Sequence, residues 1–221
     1  MLKGIIFDMD GTITLTEQLH FKSFDAVFKK HGVSDFTFEE EQIKYAGSGS
    51  KNIFTKVFEE RGVTISPEEL EECVGEKRQL YKKIIQESEI PAVHGVKEFV
   101  EKMDRLGLKR IIATGNSDLD AVRFVLEKVG LLKYFPDILS IKDVPRGKPF
   151  PDVFVEAVKR LGVRRDECVV LEDAINGVEA AKSAGIRCIA LSTTTPPEDL
   201  LKAGADMVVK DYNGITDEML N

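Results

Sequence analysis

The chain has 221 residues, room for one large domain or one domain plus an insert. Apolar residues make up 43% and charged residues 31%, an ordinary globular mix, and no apolar run approaches the ~18–20 residues of a membrane span. A formal net charge of −7 argues against nucleic acid as a partner, because phosphate backbones attract basic faces. Three cysteines cannot all pair, and Cys168 and Cys188 sit in apolar strand patterns, so they read as buried thiols. With no basic, apolar leader pattern at the start, the expected location is a reducing cytoplasm.

The apolar run Leu2 to Phe7 reads as a buried strand, followed directly by Asp8-Met9-Asp10-Gly11-Thr12. From Thr16 to Ser88 the pattern is helical, with no convincing strand. Leu19, Phe24, Val27 and Phe28 form one face, and Ile53, Phe54, Val57 and Phe58 another. Ser66-Pro67-Glu68-Glu69 is a capping box with proline at the first helical position, opening a long helix through Ile85. Turn residues Pro91 to Gly95 then mark a boundary.

Beyond it, helix and strand alternate. Val96, Phe99, Val100, Met103 and Leu106 share a helix face; Lys109 to Thr114 is a strand; Ser117 with Asp120 opens a helix; and Asp137 to Ile141 is a short strand. Phe150, Val153, Phe154, Ala157, Val158 and Leu161 mark the next helix, and Cys168 to Leu171 the next strand. Ala174 to Ala184 is a helix, Ile186 to Leu191 a strand, Thr195 with Glu198 caps a helix, and Met207 to Val209 is a last strand. This alternation predicts an α/β fold with a parallel sheet covered on both faces. The predicted organisation is an α/β core from residues 1–15 and 89–221, with a helical cap, 16–88, inserted after the first strand. Two tethers, near Leu15 and Pro91, would let that insert act as a lid.

Parallel sheets bind ligands beyond the carboxyl ends of their strands. Asp8 and Asp10 lie there, two residues apart and so on one side of an extended chain. Such crowded like charges imply a hard cation, Mg²⁺, unless the segment is merely a polar Asp-Gly turn. Thr114-Gly115-Asn116-Ser117 follows another strand, where a helix N-terminus makes an anion site or simply an N-cap turn. Lys148, in a loop before Pro149, is an available cation or a solvated surface lysine. Glu172-Asp173 ends an apolar strand and supplies further oxygen ligands, or else stabilises the first turn of the next helix. Together these residues suit phosphoryl transfer. An ionised Asp8 attacks phosphorus, Asp10 moves a proton to and from the ester or water oxygen, and Mg²⁺ with Lys148 offsets the phosphate charge.

The order Asp8-x-Asp10-Gly11-Thr12, Thr114, Lys148 and Glu172-Asp173 resembles the four motifs of the haloacid dehalogenase superfamily, and Leu171 to Gly177 adds to it. The resemblance spans essentially the whole chain and implies a Rossmann-like core with a small helical cap. It further implies that Asp8 and Asp173 ligate Mg²⁺ directly, Asp10 through its backbone carbonyl, and Glu172 directly or through water. The first motif is that of phosphatases and mutases, and Asp10 speaks against a true dehalogenase. The chain is most similar to the β-phosphoglucomutase and sugar-phosphate phosphatase branch, with Thr16 and His20 resembling that branch's hinge and cap. Leu15 departs from it, standing where an aspartate is common. So does the cap loop Ala46 to Asn52, where only Lys51, with Lys44 nearby, could hold a second phosphate.

The resulting expectation is a Mg²⁺-dependent phosphatase of a small phosphorylated metabolite, a sugar or polyol phosphate. Its substrate contacts would be Gly115, Asn116, Thr16, His20 and Lys51. A β-phosphoglucomutase-like isomerase is the alternative, and a phospho-aspartate signalling module ranks below both. Neither the physiological substrate nor the oligomeric state can be read from the sequence.

Overall fold

Six short runs of aliphatic residues pair side by side, all parallel, in the order β3-β2-β1-β4-β5-β6. They are β1 (Gly4–Phe7), β2 (Lys109–Thr114), β3 (Ile138–Ser140), β4 (Cys168–Glu172), β5 (Arg187–Leu191) and β6 (Met207–Val209). The computed structural model describes residues 1–46 and 48–220. Gly47, in the predicted cap loop, and Asn221 lie outside the described residues.

The period-two alternation of the central strands sorts their side chains to two faces. Ile5 and Phe7 join Ile112, Val169 and Leu171 under helices α5 (Val96–Arg105) and α6 (Leu119–Lys128). Ile6 joins Ile111, Ala113 and Val170 under α7 (Asp152–Leu161), α8 (Ile175–Ser183) and α9 (Pro197–Lys202). All four residues of β1 are buried, as a strand at the centre of a doubly covered sheet requires. The fold is therefore α/β with the predicted parallel sheet.

Between β1 and α5 the chain is helical throughout its regular elements: α1 (Glu17–Lys30), α2 (Phe38–Glu40) running into a π-helical stretch at Glu41–Tyr45, α3 (Ser50–Glu60) and α4 (Pro67–Glu87). This layer has its own aromatic core, in which the Phe28 ring lies 4.6 Å from Phe36, 5.0 Å from Phe54 and 5.3 Å from Phe58. Ser66 and Glu69 form the expected reciprocal cap of α4. The two connections to the sheet run together, with the Leu15 N–H donating to the Pro91 carbonyl (2.8 Å) and the Val93 N–H to that of Ile13 (2.9 Å).

Several predicted boundaries shift. Leu2 lies outside β1, and the third strand is limited to Ile138–Ser140. Helix α6 is capped by Asp118, whose carboxylate accepts the Ala121 N–H, rather than by Ser117 and Asp120. Helix α9 follows Pro196 with no side-chain cap, so the Thr195 and Glu198 pairing does not form. Leu106 and Phe150 are exposed because each sits one or two residues beyond its helix; the Arg146 guanidinium lies over the Phe150 ring, 4.4 Å from its centre. Cys168 and Cys188 are free and buried, as predicted, and Cys73 is free and buried as well. Among the described residues no helix is long and apolar enough to cross a membrane.

Phe54 is fully buried and packs against the rings of Phe24, Phe28 and Phe58. Phe54→Ala is expected to destabilise the protein by about 3–5 kcal/mol in urea unfolding, the usual cost of emptying a large aromatic site.

Candidate active site

The sheet delivers its polar residues to one rim because every strand runs the same way. Asp8 follows β1, with its N–H donated to the Leu171 carbonyl at 2.9 Å. Met9 turns into the core, which leaves Asp8 and Asp10 on the other side. Both line a cleft enclosing about 770 Å³ of empty space, open solvent at its mouth included. Its sheet-side wall is Asp8, Gly115, Asn116, Ser117, Lys148 and Asp173. Residues of α1, α3, α4 and the π-helical stretch form the opposite wall.

Asp8, Glu172 and Asp173 are buried together, each presenting a carboxylate oxygen within 4.8 Å of the others. Lys148 is the cation among them. Its Nζ donates to Asp8 Oδ1 at 2.5 Å and to Glu172 Oε1 at 2.6 Å. The other Glu172 oxygen accepts the N–H groups of Asp173 (2.8 Å) and Ala174 (3.0 Å), which fixes the turn into α8. Asp173 accepts the Thr12 hydroxyl at Oδ1 (2.9 Å) and the Thr194 hydroxyl at Oδ2. Burial pushes Asp8 up to about 7 against the opposing pull of Lys148. Burial and the Glu172 charge push Asp173 well above the ordinary carboxylate range. A set of buried carboxylates held this close, with oxygen donors only, fits a hard divalent cation.

Asp10 points elsewhere. Its Oδ1 accepts the Thr16 hydroxyl and lies 3.2 Å from His20 Nε2. His20 Nδ1 in turn lies 2.8 Å from Lys77 Nζ, and the imidazole stacks on Tyr81 with ring centres 3.9 Å apart. An ammonium can only donate, so Nδ1 accepts and Nε2 carries the proton toward Asp10. Burial and Lys77 hold His20 below its ordinary value. Burial alone would raise Asp10, but His20, Thr16 and Lys77 outweigh it and hold the carboxyl below the usual range. The two aspartates thus share a cleft but not a charge environment.

The remaining predicted contacts divide. Gly115 and Asn116 line the cleft. Thr114 is buried at the end of β2, its hydroxyl accepting the Asn116 N–H at 3.0 Å. Thr16 is buried and reaches the cleft only through Asp10. Lys51 departs from its predicted place. At the start of α3 it turns outward to α4, its Nζ 2.6 Å from Glu71, and does not line the cleft. Lys44 is likewise engaged, 3.1 Å from both Glu40 and Glu60.

Sequence reasoning missed Glu17, Glu41, Lys77 and Asn176, all on the cleft wall. Glu17 follows Thr16 directly and could have been found there; Glu41 and Lys77 lie in the helical insert, where spacing does not say which polar side chains turn inward. Gly11 was read as a turn residue, and its φ of 82° agrees. Its second constraint is space: a Cβ there would stand 2.0 Å from Asp173 Oδ2.

Asp8, Glu17, Glu41 and Asp173 all have carboxyls raised above ordinary values of 3.8 to 4.5, with Asp8 at about 7 and both glutamates at about 8. These four groups therefore hold more protons in the folded, metal-free protein than in the unfolded chain, and their contribution to stability falls as pH rises from about 4 to about 8. Thermal unfolding should show a lower Tm near pH 8 than near pH 5. Millimolar Mg²⁺ should recover more of it near pH 8, where the carboxylates are ionised. A Tm that ignores Mg²⁺ at both pH values would count against a cation site.

The family model described as haloacid dehalogenase-like hydrolase matches residues 5–191. The Phosphorylated carbohydrates phosphatase of Thermotoga maritima is 31% identical over 212 residues, covering 95% of this chain and 94% of that protein. The chloroplastic Protein SUPPRESSOR OF QUENCHING 1 of Arabidopsis thaliana is 34% identical over 217 residues. That match covers 97% of this chain, which spans 20% of the larger protein's length. Among solved structures, CbbY of Rhodobacter sphaeroides in complex with xylulose-(1,5)bisphosphate superimposes with a TM-score of 0.84 at 28% identity, covering 96% of this chain and 95% of that one. With a rim of acids around one lysine, a parallel core and a match over most of its length, the chain belongs to the haloacid dehalogenase-like hydrolase family.

Proposed function

We propose that the protein is a Mg²⁺-dependent phosphatase of small phosphorylated carbohydrates or polyols, acting through an aspartyl-phosphate on Asp8. The observation that carries this reading is the separation of roles at one cleft. Asp8 sits with Lys148, Glu172 and Asp173, while Asp10 sits with Thr16 and His20. The Thermotoga maritima relative, named for phosphorylated carbohydrates, supports the substrate class.

Asp8 and Asp173, with the Asp10 backbone carbonyl and Glu172 nearby, would hold the metal. When bound, Mg²⁺ would neutralise phosphate charge and favour the ionised form of Asp8. Asp8 attacks phosphorus, the ester P–O bond breaks, and the departing oxygen takes a proton from Asp10. Asp10 must carry that proton at the outset, and a dianionic phosphate arriving beside it favours the protonated form. In the second half, water gives a proton to Asp10 and attacks phosphorus, and the Asp8 carboxylate is freed. Asp10's depressed pKa suits this half. Lys148 bridges Asp8 and Glu172, holding the nucleophile in place and offsetting the charge of the incoming phosphate. Gly115 and Asn116 offer the phosphate oxygens a backbone turn at the approach to α6. Residues 16–88 serve as the cap, hinged at the paired connections.

The mutase reading needs cap cations for a second phosphate. Lys51 and Lys44 are both paired with glutamates on the outer surface, which favours hydrolysis. No observation favours the signalling module.

Purified protein with Mg²⁺ is expected to release inorganic phosphate steadily from sugar and polyol monophosphates. Asp8→Asn should abolish turnover, and Asp10→Asn should lower kcat by roughly 10²–10⁴, the range for loss of a proton-transfer group. Retained turnover in Asp8→Asn would overturn the mechanism. Isomer formation that outruns phosphate release would favour the mutase.

A further inference from the structure

Glu41 is an anomaly in a site built to receive an anion. It lies in the π-helical stretch on the cap side of the cleft, 5% exposed, and its Oε2 is buried without a hydrogen-bond partner. A buried polar oxygen left unmatched is costly, and on the wall of a cleft a bound molecule can supply its partner. Around it the wall is mixed: Phe24, Tyr45 and Ile53 are apolar or aromatic, and Gln42 is an uncharged polar neighbour. Among the described residues the cleft's lysines are Lys77 and Lys148: Lys77 contacts His20 and offsets part of the Glu41 charge, and Lys148 binds Asp8 and Glu172, so both are already engaged.

We propose that Glu41 is a specificity-determining residue that takes a hydroxyl of the substrate's leaving group, so that the enzyme selects polyhydroxylated monophosphates and disfavours bisphosphates. This rests on the phosphatase reading above. A hydroxyl both donates and accepts, so it matches Glu41 Oε2 whether that carboxyl is ionised or protonated. Burial pushes Glu41 up to about 8, so near neutral pH both forms are within reach. A second phosphate would instead meet an acid where it needs a cation. An alkyl chain would bury Oε2 with no partner at all. Discrimination built on a polar group the wrong substrate leaves unpaired is stronger than discrimination by apolar fit.

The test compares kcat/KM for phosphate release, with Mg²⁺, from sorbitol 6-phosphate and fructose 1-phosphate against hexyl phosphate, which has a six-carbon chain but no hydroxyls. The wild-type protein should prefer the two polyhydroxylated esters. In Glu41→Leu that preference should shrink roughly 10- to 100-fold, the loss expected when a buried hydrogen-bond partner of a substrate hydroxyl is removed. The wild-type comparison needs no variant, so it stands even if Glu41→Leu folds poorly. Fructose 1,6-bisphosphate should be a poorer substrate than fructose 1-phosphate. A wild-type protein that cleaves hexyl phosphate as well as the others, or a preference that Glu41→Leu leaves within about threefold, overturns the assignment of Glu41 alone. Cleavage of none of these esters overturns the phosphatase reading and this one with it.

Discussion

Everything at the cleft follows from burying several carboxylates around one ammonium group. Asp8, Glu172 and Asp173 crowd within reach of a single ion, and Lys148 alone among the described residues bonds two of them. Such an arrangement is poorly matched by itself: two of the acids are driven toward their neutral forms. Added charge of the opposite sign would stabilise it, and the oxygen-only donor set fits a divalent cation. The site is therefore strained electrostatically by its own acids. The threonines Thr12 and Thr194 and the backbone N–H groups of Asp173 and Ala174 keep the acids aimed.

The sheet's contribution is direction. With every strand parallel, the ends of β1, β2 and β4 deliver Asp8, Thr114 and Glu172 to the same rim from positions far apart in the chain. The helical insert contributes the other wall, including the chain of contacts from Lys77 through His20 to Asp10. One aspartate answers to the sheet and its neighbour two residues on answers to the cap. The helical insert's contacts therefore bear on Asp10 more directly than on Asp8.

Most of the core was legible in the sequence, because strands buried on both faces read as continuous apolar runs and their helices repeat cleanly. The rim residues were legible because acids ending an apolar strand have little other reason to be there. What escaped was of two kinds. Helix starts were misplaced by one or two residues where competing caps stood close together, as at Ser117 and Asp118. The inward polar residues of the cap escaped altogether. Lys51 looked like a phosphate contact because it is the basic residue of the cap loop, yet a surface glutamate on α4 holds it. Glu41 and Lys77 sit among many charged residues of the same helices, and only packing separates the buried ones from the solvated. Gly177 belongs to the same class: a Cβ there would overlap Glu172, 1.8 Å from Oε1, a constraint with no trace in local spacing.

The two connections between sheet and cap are hydrogen-bonded to each other at Leu15–Pro91 and Ile13–Val93. Segments joined in this way are held side by side, so the insert meets the sheet at one junction instead of two. The first of the paired segments leads straight back to Asp10. Thr16 and His20, just beyond that junction, are thereby set against its carboxylate. Registry between the two halves is kept by backbone hydrogen bonds, independently of the side chains that line the cleft.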